Sequence, residues 1–379
     1  MPATDIQPEV LQPVSAQALA GCLRLQQVDG VGLLTAHRLL RRFGSYAKLF
    51  AADYSALLEC VRPAQASAVL AAPAATQNAL DALLEATLRW QEQPGHALLA
   101  YGAPGYPPLL AHLPAPPLLL YVQGRRELLA RTALAIVGSR NASQQGRLTA
   151  QHMAQALSEA GLTIVSGLAL GIDGAAHTGG LAGPGSTVAC IATGADRIYP
   201  AAHGALARRI AAEGCIVSEF ALGTPPLRDN FPRRNRLISG LAAGVLVVEA
   251  AAKSGSLITA RLAVHQGKEL YAMPGSVHAT LAKGCHQLIR RDGAKLVESA
   301  DDILVDLGLL QQAGAGYTQP DDSFVDPLLQ ALGQQSATAD LLAAQLGQPV
   351  AELQGQLLAL ELAGLIERLA GGQFQRVWH

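Results

Sequence analysis

Leu134-Ala135-Ile136-Val137-Gly138-Ser139-Arg140-Asn141 is a short apolar run that ends in a small polar loop. The next stretch, Gln144 to Ala160, reads as a helix with Gly161 as its stop, and it delivers the chain to a second apolar run, Leu162 to Val165. An apolar strand, a Gly/Ser loop, a helix and another apolar strand make one βαβ unit, which requires parallel strands buried on both faces. The pattern continues through Thr187 to Ile191, Cys215 to Ser218, Val245 to Val248 and Glu269 to Ala272, with Ala205 to Ala212 as a further helix stopped near Gly214. The reading is an α/β fold: a Rossmann-like, doubly wound parallel sheet.

On the N-terminal side, residues 15 to 95 carry helical patterns and no strand pattern. Val28-Asp29-Gly30-Val31-Gly32 places a G-x-G turn between two short helices, in the manner of a helix-hairpin-helix whose backbone amides can meet one phosphate. Arg38, Arg41 and Arg42 follow it and fit either a phosphate-binding face or a solvated helix face. Pro94 to Pro117, rich in proline, reads as a linker into the next domain. On the C-terminal side, Asp301 to Leu310 reads as a closing helix and Gln311 to Ser323 as a flexible tether. The pieces Pro327 to Leu332, Thr338 to Leu346, Val350 to Ala363, Leu365 to Leu369 and Phe374 to Trp378 then follow the order of a winged helix. The expected domains are 1–95, helical and SAM-like or helix-hairpin-helix; 96–310, Rossmann-like with a Pro-rich lead-in; a linker at 311–323; and a winged helix at 324–379.

The composition agrees with a multi-domain globular chain. Of 379 residues, 50% are hydrophobic and 15% charged, which excludes a largely disordered polymer. Met1 to Pro13 contains Asp5 and Glu9 and leads into no apolar segment, so no signal peptide is read and a cytoplasmic location is expected. Gly240 to Ala252 is too short to span a membrane and is interrupted by Glu249, so no membrane partner is expected. The cysteines at 22, 60, 190, 215 and 285 form no C-x-x-C pair and read as reduced core thiols, with no metal site. Net charge is −1, yet residues 301 onward hold two Arg against ten acids, leaving the first 300 at +7. The body is basic and the tail acidic.

In an open parallel sheet, ligands bind beyond the carboxyl ends of the strands. The loops there are Gly138-Ser139-Arg140-Asn141, Ser166 to Asp173, Thr193 to Asp196 and Lys253-Ser254-Gly255-Ser256. Small residues before helix starts offer amides and hydroxyls to phosphates with little bulk. The ligand is narrowed by what the chain lacks. No G-x-G-x-x-G follows the first strand, no G-x-x-x-x-G-K-[ST] occurs, and neither H-E-x-x-H nor G-x-S-x-G is present, so no dinucleotide, ATP or other cofactor is expected and no enzyme chemistry is indicated. The segment Leu227-Arg228-Asp229-Asn230-Phe231-Pro232-Arg233-Arg234-Asn235-Arg236 reads as a long loop with four arginines and one aromatic. Guanidinium groups for phosphates and a ring for a base are what single-stranded nucleic acid asks of a protein.

Together, Gly138-Ser139-Arg140, Ser166-Gly167-Leu168-Ala169 with Gly171-Ile172-Asp173 and His177, Phe231-Pro232 with Arg234-Asn235-Arg236, and Val248-Glu249-Ala250 followed by Ser254 to Ala260 resemble the DNA-processing protein A (DprA/Smf) family. Pro274-Gly275, Gly284, Leu288-Ile289 and Gly293-Ala294 extend the resemblance, which is dense from about 100 to 297. It implies a Rossmann-like core that binds and protects single-stranded DNA, loads RecA recombinase onto it during natural transformation, and self-associates as a homodimer. Carried to this chain, Ser139 and Arg140 would hold a phosphate, and Gly167, Lys253, Ser254, Gly255 and Ser256 would line the pocket. Arg228 and Phe231 would add a charge and a stacking face, and Arg234, Asn235 and Arg236 a basic wall. The chain departs from the family pattern at Ala103, His286 and Leu170, the last removing one potential phosphate contact.

A different class, the Rossmann-like nucleotide phosphoribohydrolases, would need a carboxylate in the segment Ser254 to Gln266, and there is none. A transcription factor acting through the winged helix fits poorly too, since Val350 to Ala363 carries Glu352 and Glu361 and no Lys or Arg. The acidic module reads as a protein-interaction arm or a nucleic-acid mimic.

Overall fold

A computed structural model of the chain describes residues 15–71, 77–310, 327–332, 336–369 and 372–377. The chain divides into two compact units, 1–307 and 308–379. The first begins with helices α1 (Ala16–Gln26), α2 (Leu33–Phe43), α3 (Tyr46–Phe50), α4 (Tyr54–Leu58), α5 (Pro63–Ala71) and α6 (Gln77–Gln91). Strand β1 (His96–Ala100), α7 (Pro108–Ala111) and β2 (Leu119–Gly124) follow. The alternating part then runs β3 (Ala133–Val137), α8 (Gln144–Glu159), β4 (Thr163–Ser166), α9 (Ile172–Gly180), β5 (Thr187–Cys190), α10 (Gly204–Glu213) and β6 (Cys215–Ser218). It continues with α11 (Asn230–Gly240), β7 (Gly244–Val247), α12 (Ser256–His265), β8 (Glu269–Ala272), α13 (Lys283–Arg291), β9 (Lys295–Leu296) and α14 (Ala300–Asp306).

The strands form one sheet in the order β1-β2-β6-β5-β4-β3-β7-β8-β9. From β6 to β9 every pairing is parallel, with Leu134 of β3 opposite Gly244 of β7. Alternate side chains go to opposite faces. Ala135, Val137, Val245 and Val247 join Leu237 and Ile238 of α11 and Leu257 and Ala260 of α12 on one face. Leu134, Ile136 and Leu246 join α8, α9 and α14 on the other, which makes three layers around a doubly wound sheet.

Two expectations are corrected. Pro94 to Pro117 is not a linker: it contains β1, which pairs antiparallel with β2, and β2 pairs antiparallel with β6, so the parallel core carries an antiparallel edge. Helices α1–α6 share one core with Leu98, Leu118, Leu119 and Tyr121 of that edge. The short run Leu98-Leu99 sits among turn residues in the sequence, and its strand character comes from its partner. The segment 227–236 is a loop only to Asp229; from Asn230 it is the first half of α11, with Pro232 in the opening turn, where its missing N–H costs nothing.

The N-terminus of α8 is tied to the sheet. Ser143 accepts from the Gly146 amide at 2.8 Å, while its own amide and hydroxyl donate to the Glu249 carboxylate at 2.9 and 2.6 Å. Glu249→Ala is therefore expected to cost about 1–2 kcal/mol, the worth of a helix cap and its charge. An unchanged urea midpoint would show that Ser143 caps alone.

The second unit holds α15 (Pro327–Leu332), β10 (Ala337–Thr338), α16 (Ala339–Leu346), α17 (Val350–Leu362), β11 (Ile366–Arg368) and β12 (Gln373–Arg376). Strands β10, β12 and β11 pair antiparallel, and with the helices they form a winged helix around Leu342, Leu353, Leu357 and Ile366. The tether at 311–323 lies outside the described residues. Among those described, no helix is long and apolar enough to cross a membrane, and no cluster of His, Cys, Asp or Glu could hold a metal.

Candidate nucleic-acid interface

The strand order reverses between β3 and β7, and a crevice opens beyond their carboxyl ends. It is a cleft of about 810 Å³ that brings together Ser139, Arg140, Arg228, Phe231, Arg234, Asn235, Lys253, Ser254, Gly255 and Ser256. Arg140 follows β3 directly and is exposed; Arg228 and Lys253 are exposed as well. Helix α12 starts at the crevice, so the positive end of its dipole faces an anion there, while its first amides are bonded locally, Ser256 to the Ser254 hydroxyl at 3.3 Å and Leu257 and Ile258 to the carbonyls of Ser254 and Gly255 at 3.2 and 3.1 Å. Beside it the hydroxyls of Ser254 and Ser256 are bonded at 2.7 Å.

Phe231 is the aromatic centre. Its ring lies 5.1 Å from the Arg140 guanidinium, and the Tyr199 ring meets it at 5.8 Å, tilted by 61°. Phe231 is half-buried, held in the first turn of α11. Tyr199 had not been singled out from the sequence. An aromatic before a proline in the loop after β5 is the signal that could have found it, and its ring is 46% exposed.

Two of the arginines are not part of an open wall, because residues on a helix diverge by about 100° per step. Phe231 and Asn235, four apart, face the crevice together, whereas Arg234 turns inward and is 3% exposed. Its Nη1 donates to the carbonyl of Cys190 at 2.5 Å and to that of Gly167. The buried Asp173 carboxylate sits nearby, accepting from the amides of Gly167 and Ala169 at 3.2 and 3.3 Å. Burial raises the Asp173 carboxyl above its ordinary value, with Arg234 opposing the rise. Gly167 lies between the two, and a methyl there would run into Arg234 and come within 2.8 Å of Asp173. Arg234, Asp173 and Gly167 thus form the floor beneath the crevice, and Gly167 also lines a small hollow with Arg140, Tyr199 and Phe231. Below that floor the His177 pKa falls to about 3 through burial, so its ring is neutral there and its Nε2 accepts from the Leu168 amide at 3.2 Å.

Arg236 lies on the other face of α11. It pairs with Glu219 and donates to the Ala115 carbonyl at 2.7 Å, away from the crevice. The periodicity of α11 assigns these places, and a segment read as a loop had no periodicity to use.

The family model described as DNA recombination-mediator protein A matches residues 97–308, and the DprA winged helix domain matches 316–372. The chain belongs to the DprA/Smf family. It is 42% identical over 303 residues to Protein Smf of Escherichia coli K12, covering 76% of this chain and 80% of that one. It is 45% identical over 201 residues to DNA processing protein DprA of Streptococcus pneumoniae, covering 53% of this chain and 71% of that one. Among solved structures, DprA from Streptococcus pneumoniae superimposes with a TM-score of 0.65 at 33% identity, over 78% of this chain and 99% of that one. DprA from Helicobacter pylori, described for its single-stranded DNA binding mode, gives 0.52 at 29% identity, over 56% and 95%. In this DprA-family chain the whole crevice lies inside the matched segment, whereas α1–α6 precede it.

Proposed function

We propose that this chain binds single-stranded DNA in the crevice beyond β3 and β7, protects the incoming strand, and loads RecA recombinase onto it in natural transformation and homologous recombination. The observation that carries the binding step is Phe231, a half-exposed ring framed by Arg140 and Tyr199 at the mouth of a cleft flanked by Arg228, Lys253 and the N-terminal end of α12. A free base can stack on such a ring while its phosphates meet the cations and the positive end of the α12 dipole; a paired base cannot, so duplex binds worse. Phosphate contacts position a strand without reading its bases, so sequence preference is weak. The work is binding, with no bond made or broken.

The DprA relative described for its single-stranded DNA binding supports the ligand. RecA loading, the homodimer through the Rossmann-like unit and the cytoplasmic location rest on the family resemblance. In this reading the helical segment 1–95 and the winged helix at 324–379, the latter attached through the tether at 311–323, serve a DNA-binding domain at 96–310.

The test is fluorescence anisotropy of a labelled single strand across a salt series. Arg228→Ala is expected to weaken binding and to flatten the log–log salt slope by about 0.7, the value of one single-strand phosphate contact. A slope equal to wild type would remove Arg228 from the path of the strand.

A further inference from the structure

Helix α11 has a second face, and a second cleft opens on it. Arg233 and Arg236 turn away from the crevice toward α2, and with Glu219 and Phe220 beyond β6 and Gly32 and Leu33 at the start of α2 they line a separate space of about 530 Å³. That volume falls within the roughly 300–1,000 Å³ of small-molecule sites.

Three independent features meet there. Glu219 is 6% exposed; one of its oxygens takes the Arg236 guanidinium, and the other, Oε1, is buried with no hydrogen-bond partner among the described residues. An unmatched buried acceptor costs stability and calls for a donor. Arg233 is exposed, and its guanidinium lies 5.1 Å from the centroid of the buried Phe220 ring, which backs it, so a planar ligand has a supported planar cation to lie against. Helix α2, 11 residues long, starts at Gly32 with no side-chain cap, and a Cβ on Gly32 would meet nothing within 4 Å, so its first amides are accessible. Two arginines against one carboxylate leave the cleft net positive, which suits an anion.

We propose that this cleft binds a nucleotide whose base carries an amino group, the amine donating to Glu219 Oε1, the ring lying against the Arg233 guanidinium, and the phosphate resting at the start of α2. The same chemistry is offered by a free nucleotide and by one nucleotide of a bound strand. The site is separate from the single-strand crevice and stands whether or not that reading holds.

Isothermal titration of the full chain with dAMP, dGMP, dCMP and dTMP tests the proposal, run in parallel with the affinities of oligo-dC and oligo-dT strands. The amine-bearing nucleotides are expected to bind about tenfold or more tightly than dTMP, the worth of one well-made hydrogen bond. Glu219→Gln should erase that preference, since an amide can serve as donor or acceptor. Arg233→Ala, on an exposed side chain, should weaken the amine-bearing nucleotides and dTMP alike and leave the fold intact. If the preference appears with mononucleotides and survives Phe231→Ala, the ligand is the free nucleotide. If it appears only as oligo-dC over oligo-dT and is lost with Glu219→Gln, the ligand is part of the strand. No preference in either format, or a preference that Glu219→Gln leaves unchanged, overturns the proposal.

Discussion

Arg234→Ala is expected to destabilise the chain by about 3–5 kcal/mol, because it removes a buried cation and leaves the Asp173 carboxylate in the interior without its counterpart. It also frees the carbonyls of Gly167 and Cys190, which lose their donor. The measurement is urea denaturation followed by circular dichroism, with Arg228→Ala as the control. Arg228 is exposed, so its loss should stay within about 0.5 kcal/mol. The two arginines then separate by where they act: one holds the crevice floor, and the other faces solvent at its rim. If Arg234→Ala were as stable as wild type yet lost DNA, the guanidinium would belong to the ligand and not to the floor.

Phe231→Ala is expected to leave the fold intact and to weaken single-strand binding by about 1–3 kcal/mol, or about 5- to 150-fold. The ring is half-buried in the first turn of α11, where alanine is a good helix former, so the loss falls on stacking. Anisotropy with intact and abasic strands separates ring from charge. An abasic strand should bind wild type about as weakly as the intact strand binds Phe231→Ala, and the two changes together should cost little more than either alone. Full additivity would mean that bases and Phe231 do not meet.

Much of this was legible because the local and tertiary signals agree. The run Leu134 to Val137 is apolar on both faces and needed no partner to be read as a buried strand, and Gly138-Ser139-Arg140 marks the strand end where ligands bind. Strand β1 was missed because Leu98-Leu99 becomes a strand only by pairing with β2. Helix α11 was missed for the opposite reason: its inward stripe is Asn230, Arg234, Leu237 and Ile238, and a helix whose buried face includes Asn and Arg does not look amphipathic. That error placed Arg234 and Arg236 in an open wall, whereas one supports the floor and the other points into a different cleft. Tyr199 was missed because nothing in its loop says that it meets Phe231, more than thirty positions away along the chain.

The most direct test of the central claim is photo-crosslinking of a single strand carrying iodouracil, with the attached residue mapped by mass spectrometry of the full chain. A strand seated as proposed places its base on the aromatic pair, so crosslinks at Phe231 or Tyr199 are predicted, lost when competing unlabelled single strand is added and retained when duplex is added. Crosslinks confined to α1–α6 or to the winged helix would contradict the account.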